Sequence, residues 1–525
     1  MSRHAALYAT LVLALAGCRS LPERAEGSAR AAPLASAAVE VDTAYQSCRE
    51  RIAALRKQPA LPGAPEFDAQ RADVLGRARG EPMVFVREPR ATPDAALPKA
   101  ALDAKKAFAH GSPFARVRGE KLRLRGDKPG LRALVLREGY VYSADPVEAL
   151  ALVTRLELPD LFDEETIYLQ RGAKTLALSR VEAKPLRYQQ SDGRTAELLF
   201  GDRVAVERAD LAPPLHRDLR RLAHEIGFER AKITLRTAQG LVADLRFSGE
   251  WAKAVLDSDG AKLSLRCLAE RQDRRTRFSR WIASDAPRRR GLARLRAAVD
   301  RELAEALPFD RPRHEETADR DGQLRPAWRW AYRAGLTAFS YDDESYPVYD
   351  VEGRPHPPQV CVDFVLDSYE RASGTWFTAK GNTPTRVVGA LDFDDLGIKN
   401  RRGVLAFEKF AEDSPELFEH LRFEAEDRVK FLERRRFFSF LVEHADTFRA
   451  GDVVAIQGRK GDGNIHQHAI LIEDTDPVTG FPDALADQMK RPRRRTWEGI
   501  MAEAPLRSLL YRVRPKKRVT TQLER

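Results

Sequence analysis

The stretch His356-Pro357-Pro358-Gln359-Val360-Cys361-Val362-Asp363-Phe364-Val365-Leu366-Asp367-Ser368-Tyr369 opens a helix. Two prolines immediately ahead of an apolar periodic run are a helix-start signal, and Phe364, Leu366 and Tyr369 carry the run toward Gly374. Cys361 is therefore expected in or near the first helical turn. The N–H groups there have no intrahelical partners, and the dipole places its positive end beside them. A thiolate is favoured in such a place, and the same N–H groups can hold a developing oxyanion. The plainer reading of Cys361, a buried structural thiol, stands beside this one.

A nucleophilic thiol needs a base. Downstream lie Arg449-Ala450-Gly451-Asp452-Val453-Val454-Ala455-Ile456 and, past a Gly- and Asp-rich segment, His466-Gln467-His468-Ala469-Ile470-Leu471-Ile472-Glu473-Asp474. Two apolar runs joined by a turn are expected to form adjacent strands. His466 and His468 share one strand face, and His468 directly abuts the apolar run, which makes it the preferred base. The pair has no third or fourth ligand at metal-site spacing, so no metal and no cofactor is expected.

These pieces resemble the NlpC-type peptidases of the papain-like cysteine peptidase group. Cys361-Val362-Asp363-Phe364-Val365 is similar to that family's Cys-bearing helix start, Gly451-Asp452-Val453-Val454 to its Gly-Asp-Leu/Ile-Val strand, and His468-Ala469-Ile470-Leu471-Ile472 to its His-Val-Gly-Ile-Tyr strand. The resemblance covers about residues 326–515. It departs from the family at Val360, where an Asp is usual, and in a longer insert between Leu391 and Phe448 that is expected to cover or narrow the cleft. It implies a helix packed on an antiparallel sheet, with Cys361 as nucleophile and His468 as base. It also implies a third polar residue that orients the imidazole from the next strand, expected over Phe481–Gln488 with Gln488 or Asp487 in the role. Tyr346 stands where the family often has a tyrosine that helps bind the oxyanion. Asp363 reads as a helix-start carboxylate, with a site role implied only by the resemblance. The activity implied is hydrolysis of amide bonds in peptidoglycan stem peptides. Two other readings remain open: an inactive envelope-binding or scaffolding protein, and a Cys-dependent acyltransferase.

The N-terminus agrees with an envelope setting. Arg3 and His4 precede an apolar segment, Ala5–Ala16, of about twelve residues. That is too short for a bilayer span of roughly 20 residues and suits a signal peptide. It ends in Leu15-Ala16-Gly17-Cys18, which resembles a bacterial lipobox with Cys18 as the lipidation site. Arg19 in place of Asp favours the outer membrane, facing the periplasm, if the host is Gram-negative. Residues 1–17 are thus expected as signal and 18–40 as a tether. The net charge of +11 fits either a basic surface or attraction to an anionic polymer, with basic runs at Arg288–Arg290, Lys490–Arg495 and Arg512–Arg518. None is interleaved with aromatics, so nucleic-acid binding is not expected.

The chain has 525 residues, too many for one core. The fold class expected is α+β. Residues 41–307 form an N-terminal α+β domain of unknown type, 308–325 a linker, 326–517 the hydrolase-like domain and 518–525 a basic polar tail. In the N-terminal part, helices are expected at Val41–Arg56, Asp145–Leu156, Pro213–Phe228 and Arg290–Leu307. Strands are expected between Arg116 and Glu207, with a hairpin turn at Asp192-Gly193, and again at Ile233–Leu235, Leu241–Phe247 and Leu263–Cys267. His216 and His224 read as solvated. In the C-terminal part, helices are expected at Ala327–Phe339 and from Ser414-Pro415, with a loop at Ser340–Pro347. Cys48 and Cys267 read first as core thiols, on a helix face and a strand face, and an exported chain also permits a disulfide between them.

Overall fold

The face of Cys48, Ile52 and Leu55 on helix α1 (Thr43–Arg56) is buried against a four-stranded antiparallel sheet. The strands are β1 (Arg230–Thr237), β2 (Gly240–Phe247), β3 (Glu250–Ser258) and β4 (Leu263–Leu268), in the order β4-β3-β2-β1. The structure, a computed structural model, describes residues 42–61, 83–86, 116–117, 120–121, 140–143, 166–171, 174–183, 186–190, 195–198, 214–259, 262–310, 324–341, 343–459, 465–489, 491–497, 500–501 and 504–524. The signal segment, Cys18, the tether, the Asp145–Leu156 helix and the Asp192-Gly193 turn fall outside them. The flanks of that turn, Leu186–Gln190 and Thr195–Leu198, do pair antiparallel within a separate six-stranded sheet. No helix among the described residues is long and apolar enough to cross a membrane.

Cys48 and Cys267 are joined by a disulfide that ties α1 to β4 across 219 positions. Their burial against Val242 and Val255 satisfies the core reading as well. Closing so long a loop restricts the unfolded chain, an effect typically of about 2–4 kcal/mol. Reduction is expected to lower the melting temperature by several degrees, read as the difference between melts with and without reductant.

The other face of the four-stranded sheet carries helix α2 (Pro214–Ile226) and the first half of helix α3 (Gln272–Glu305). Helix α3 begins well before the expected Arg290. Pro287 lacks a backbone N–H and normally ends a helical reading, yet the helix continues through it. Its second half leaves the first sheet. Leu292, Leu295, Ala298, Val299 and Leu303 join the same core as the helix that begins at Cys361. The segment expected to close the N-terminal domain therefore packs with the helix that begins at Cys361, and residues 43–525 form one compact unit.

The junction after α3 is docked as well. Asp310 is buried, and its carboxylate accepts from the N–H groups of Leu324 and Arg325 at 3.1 and 2.8 Å. It thereby satisfies the amino end of helix α4 (Leu324–Arg333). The segment expected as a loop is a hairpin of β5 (Ala338–Tyr341) and β6 (Glu344–Pro347).

Helix α5 (Cys361–Ala372) lies against a six-stranded antiparallel sheet. With short strands β7 (Trp376–Phe377) and β8 (Arg386–Val387) outside it, the sheet comprises β9 (Phe418–Arg422), β10 (Val453–Arg459), β11 (Ile465–Asp474), β12 (Ala484–Gln488), β13 (Pro492–Arg495) and β14 (Arg507–Pro515), in the order β9-β14-β10-β11-β12-β13. The two apolar runs pair as expected, Val454 opposite Ile470 and Ile456 opposite His468. Along the chain α6 (Val404–Asp413) precedes β9, and α7 (Arg434–Glu443) lies between β9 and β10. Ser414 ends α6 instead of starting a helix, and the chain beyond Pro415 supplies edge strand β9. Residues of the expected tail form α8 (Lys517–Gln522), which buries Val519 and Leu523 against α3. The described residues are of the α+β class.

The basic runs also turn inward. Arg494 binds Glu473, Arg495 binds Asp487, Arg512 binds Glu419 and Arg514 binds Asp452. These guanidiniums neutralise the protein's own carboxylates.

Candidate active site

Helix α5 is buried nearly all round, with Val362, Phe364, Val365, Leu366 and Tyr369 in the core. Each such side chain contributes roughly 1.5–3 kcal/mol when fully buried. Only Cys361, at its amino end, is half-buried. Val360 stands extended ahead of the helix, and its N–H donates to the Asp363 carboxylate at 3.0 Å. The first intrahelical bond runs from the Phe364 N–H to the Val360 carbonyl. The amides of Cys361 and Val362 precede it, beside the sulfur.

His468, buried on β11, faces two groups. Its Nε2 lies 2.9 Å from Asp487 Oδ2 on neighbouring strand β12, and the Cys361 sulfur is near enough for its charge to act on the ring. With Nε2 engaged by Asp487, Nδ1 is the ring nitrogen left for the sulfur. Burial disfavours the imidazolium, but negative charge on the Cys361 sulfur and the hydrogen bond to Asp487 outweigh it and bring His468 up to about 9. Asp487 is buried and would prefer neutrality on that ground. The charge of Arg495, 3.3 Å away, and the bond to His468 hold it well below the usual carboxylate range. The result groups thiol, imidazole and carboxylate on a helix end and two adjacent strands.

The other residues singled out from the sequence have separate places. Gln488, the alternative to Asp487, donates to the Leu307 carbonyl at 3.0 Å and so ties the sheet to the end of α3. Tyr346 stacks on Phe339 in the β5–β6 hairpin and donates to Glu344 at 2.8 Å. Asp363 is wholly buried, accepts from Val360 and pairs with Arg402 at 2.9 Å, which is the work of a helix-start carboxylate. His466 lies opposite Gly458, two positions toward the open end of β11. His224, expected in solvent, instead lies 2.8 Å from Asp474, while the His216 side chain is outside the described residues.

Several supporting residues were not legible beforehand. Gln359 donates from one amide nitrogen to both Glu302 (2.8 Å) and Asp367 (2.6 Å), two positions ahead of the cysteine. Burial pushes the Glu302 carboxyl up to about 8 despite Arg371, and Asp367 adds to the rise. Asp367 itself is gripped by Arg325 through two bonds of 2.7 Å. Asp363, Asp367 and Glu370 sit at helical spacing, which gathers their charges on one face; Arg325, Arg401 and Arg402 meet them there. That spacing is the signal a closer reading would use. Gly451 and Asp452 prove structural: the Gly451 carbonyl accepts from Tyr369, and Asp452 holds Arg514.

The His468 value sets a pH dependence. It is raised above that of a free imidazole, so the protonated form is present below about 9 and is lost as pH rises through it. The stability this ionisation contributes follows the same sign, complete below the ordinary imidazole range near 6.5 and lost through about 9. The alkaline limb of a kcat/KM profile on an amide substrate is expected near pH 9; a limb near 6.5 would mean that the imidazole is not paired with the sulfur.

Among the described residues no group of three or more His, Cys, Asp or Glu side chains could hold a metal ion. Comparison of the chain with protein-family models, with curated proteins and with solved structures finds no match.

Proposed function

We propose that this chain is a cysteine hydrolase of papain-like fold that cleaves amide bonds in the cell envelope, with peptidoglycan stem peptides as substrate. The observation that carries the reading is the His468 ring bonded to the Asp487 carboxylate and under the electrostatic influence of the Cys361 sulfur at a helix amino end. That is the nucleophile, base and orienting group of acyl-transfer catalysis. The substrate class rests on the resemblance of residues 326–515 to NlpC-type peptidases. The envelope setting rests on the lipobox-like Cys18, and the Cys48–Cys267 disulfide supports an oxidising compartment.

The steps follow from the geometry. With the proton already held on His468, the sulfur attacks the amide carbon. The amides of Cys361 and Val362 stabilise the oxyanion. The imidazolium returns its proton to the leaving nitrogen as the C–N bond breaks, leaving a thioester. His468 then deprotonates a water that attacks the thioester, freeing the acid and restoring the thiol. Asp487 keeps Nδ1 directed at the sulfur throughout.

The test is incubation of the full chain with purified sacculi, read by muropeptide analysis. New stem-peptide termini are expected. Unchanged muropeptides, from protein whose Cys361 reacts with iodoacetamide no faster than a free thiol, would return the scaffold reading. Transfer of the acyl group to an added amine in preference to water would identify an acyltransferase.

A further inference from the structure

A cavity of about 90 Å³ lies away from Cys361, where α2, β1, the middle of α3 and the loops at 445–450 and 474–480 come together. That volume is several times the minimum one water needs. Six arginines line it: Arg220, Arg230, Arg288, Arg289, Arg296 and Arg449. Three carboxylates, Glu229, Asp446 and Asp474, face them. Asp285 and Asp483 stand behind the wall and pair with Arg288, Arg289 and Arg220, while Arg246 shares Asp446 with Arg230. Seven guanidiniums thus outnumber the five carboxylates that line the cavity or pair with its arginines, with Asp476 acting on Arg220 from further off.

The surplus is localised. Arg296 makes no hydrogen bond and no ion pair among the described residues; it acts on Asp474 only through its field. The buried Nε of Arg220 has no hydrogen-bond partner, while its terminal nitrogens pair with Asp474 and Asp483. Burial holds the Arg230 and Arg289 guanidiniums below their ordinary value despite Asp446 and Asp285, and adjacent arginines add to the fall. Cations so placed are stabilised by an added anion. Gly227, at φ +83°, lines the same wall, and a Cβ there would stand 2.9 Å from Asp285 Oδ2 and 3.0 Å from Arg289 Nη1. Backbone therefore approaches the Arg289–Asp285 pair where a side chain would obstruct it.

We propose that this cavity binds a phosphate group, either free phosphate or the phosphodiester of a glycerol-based headgroup or polymer. Free phosphate carries between one and two negative charges at neutral pH and a phosphodiester one, so either offsets part of the surplus, and guanidinium forks suit its oxygens. Asp474 lies six residues along β11 from His468, roughly 20 Å at ~3.3 Å per residue. The site is thus separate from the candidate active site and independent of what that site does.

The test is isothermal titration of the full chain with inorganic phosphate and, in a second arm, with glycerophosphoglycerol, each at ionic strength matched with sodium chloride. Millimolar or tighter binding of at least one is expected. Arg296→Ala should weaken it at least tenfold and Arg296→Lys less, while Arg280→Ala, on the exposed part of the same helix, leaves it unchanged. The unliganded melting temperature of Arg296→Ala should match the parent, because no direct bond is lost. Preference for the diester identifies headgroup or polymer as the source, and preference for inorganic phosphate identifies the free ion. Binding of neither probe, or equal affinity in Arg296→Ala and the parent, overturns the proposal.

Discussion

Cys361→Ala will abolish amide hydrolysis, by about 10⁴-fold or more, while leaving the fold intact. The size follows from the role: removing the nucleophile of a nucleophile–base pair leaves only binding and oxyanion stabilisation. The intact fold follows from position. Cys361 is half-buried at the edge of its core cluster, and the helix it begins is held by Val362, Phe364, Tyr369 and the Asp363 cap. The melting temperature is expected to shift by no more than a few degrees. Turnover at parental rate in Cys361→Ala would remove the thiol from the chemistry altogether. Unfolding of the variant would instead support the structural-thiol reading, and Cys361→Ser then separates the two, because it keeps volume while losing the soft nucleophile.

Which parts of this arrangement were readable beforehand has a physical explanation. The amino end of α5 was legible because Pro357-Pro358 and the apolar run are local signals that need no tertiary knowledge. Strands β10 and β11 were legible for the same reason, since both are uninterrupted apolar runs of strand length. Long-range pairing decided the remainder. Asp487 and Gln488 are adjacent, so they point to opposite faces of β12. Only the register of β12 on β11 determines which one meets His468, and no local pattern encodes register. Arg495 sits among four neighbouring basic residues that read as a solvated run, yet its strand pairs with β12 and brings it onto Asp487. Helix α3 was misdivided because an apolar stripe says that a helix face is buried, not against which core. Its first half belongs to the sheet of β1–β4, its second half to α5. The Ser414-Pro415 pair carries the chemistry of a helix start, but here tertiary pairing of residues 418–422 with β14 overrides it.

Asp487→Asn is expected to lower kcat about 10²- to 10⁴-fold and also to destabilise the protein, because this carboxylate serves two partners. Toward His468 it accepts the Nε2 proton and so leaves Nδ1 facing the sulfur. An amide can present its NH₂ to that nitrogen, favouring the wrong tautomer, and loses of the order of 10⁴ occur when that happens in other triads. Toward Arg495 it is the buried counter-ion at 3.3 Å. Removing one member of a buried pair leaves an uncompensated charge, at a cost of about 3–5 kcal/mol. The two effects separate by measurement. Arg495→Met removes the second partner while keeping Asp487, so it should destabilise the fold with a smaller loss of kcat, and the His468-dependent alkaline limb should persist. Asp487→Asn should lose both, with the limb lowered but kept above the free imidazole value by the Cys361 sulfur. Gln488→Ala breaks only the bond to the Leu307 carbonyl and should alter stability by about 1 kcal/mol with kcat little changed. If Gln488→Ala proves as damaging to kcat as Asp487→Asn, the orienting role belongs to the sheet–helix junction, and the Cys361–His468–Asp487 relay would have to be abandoned.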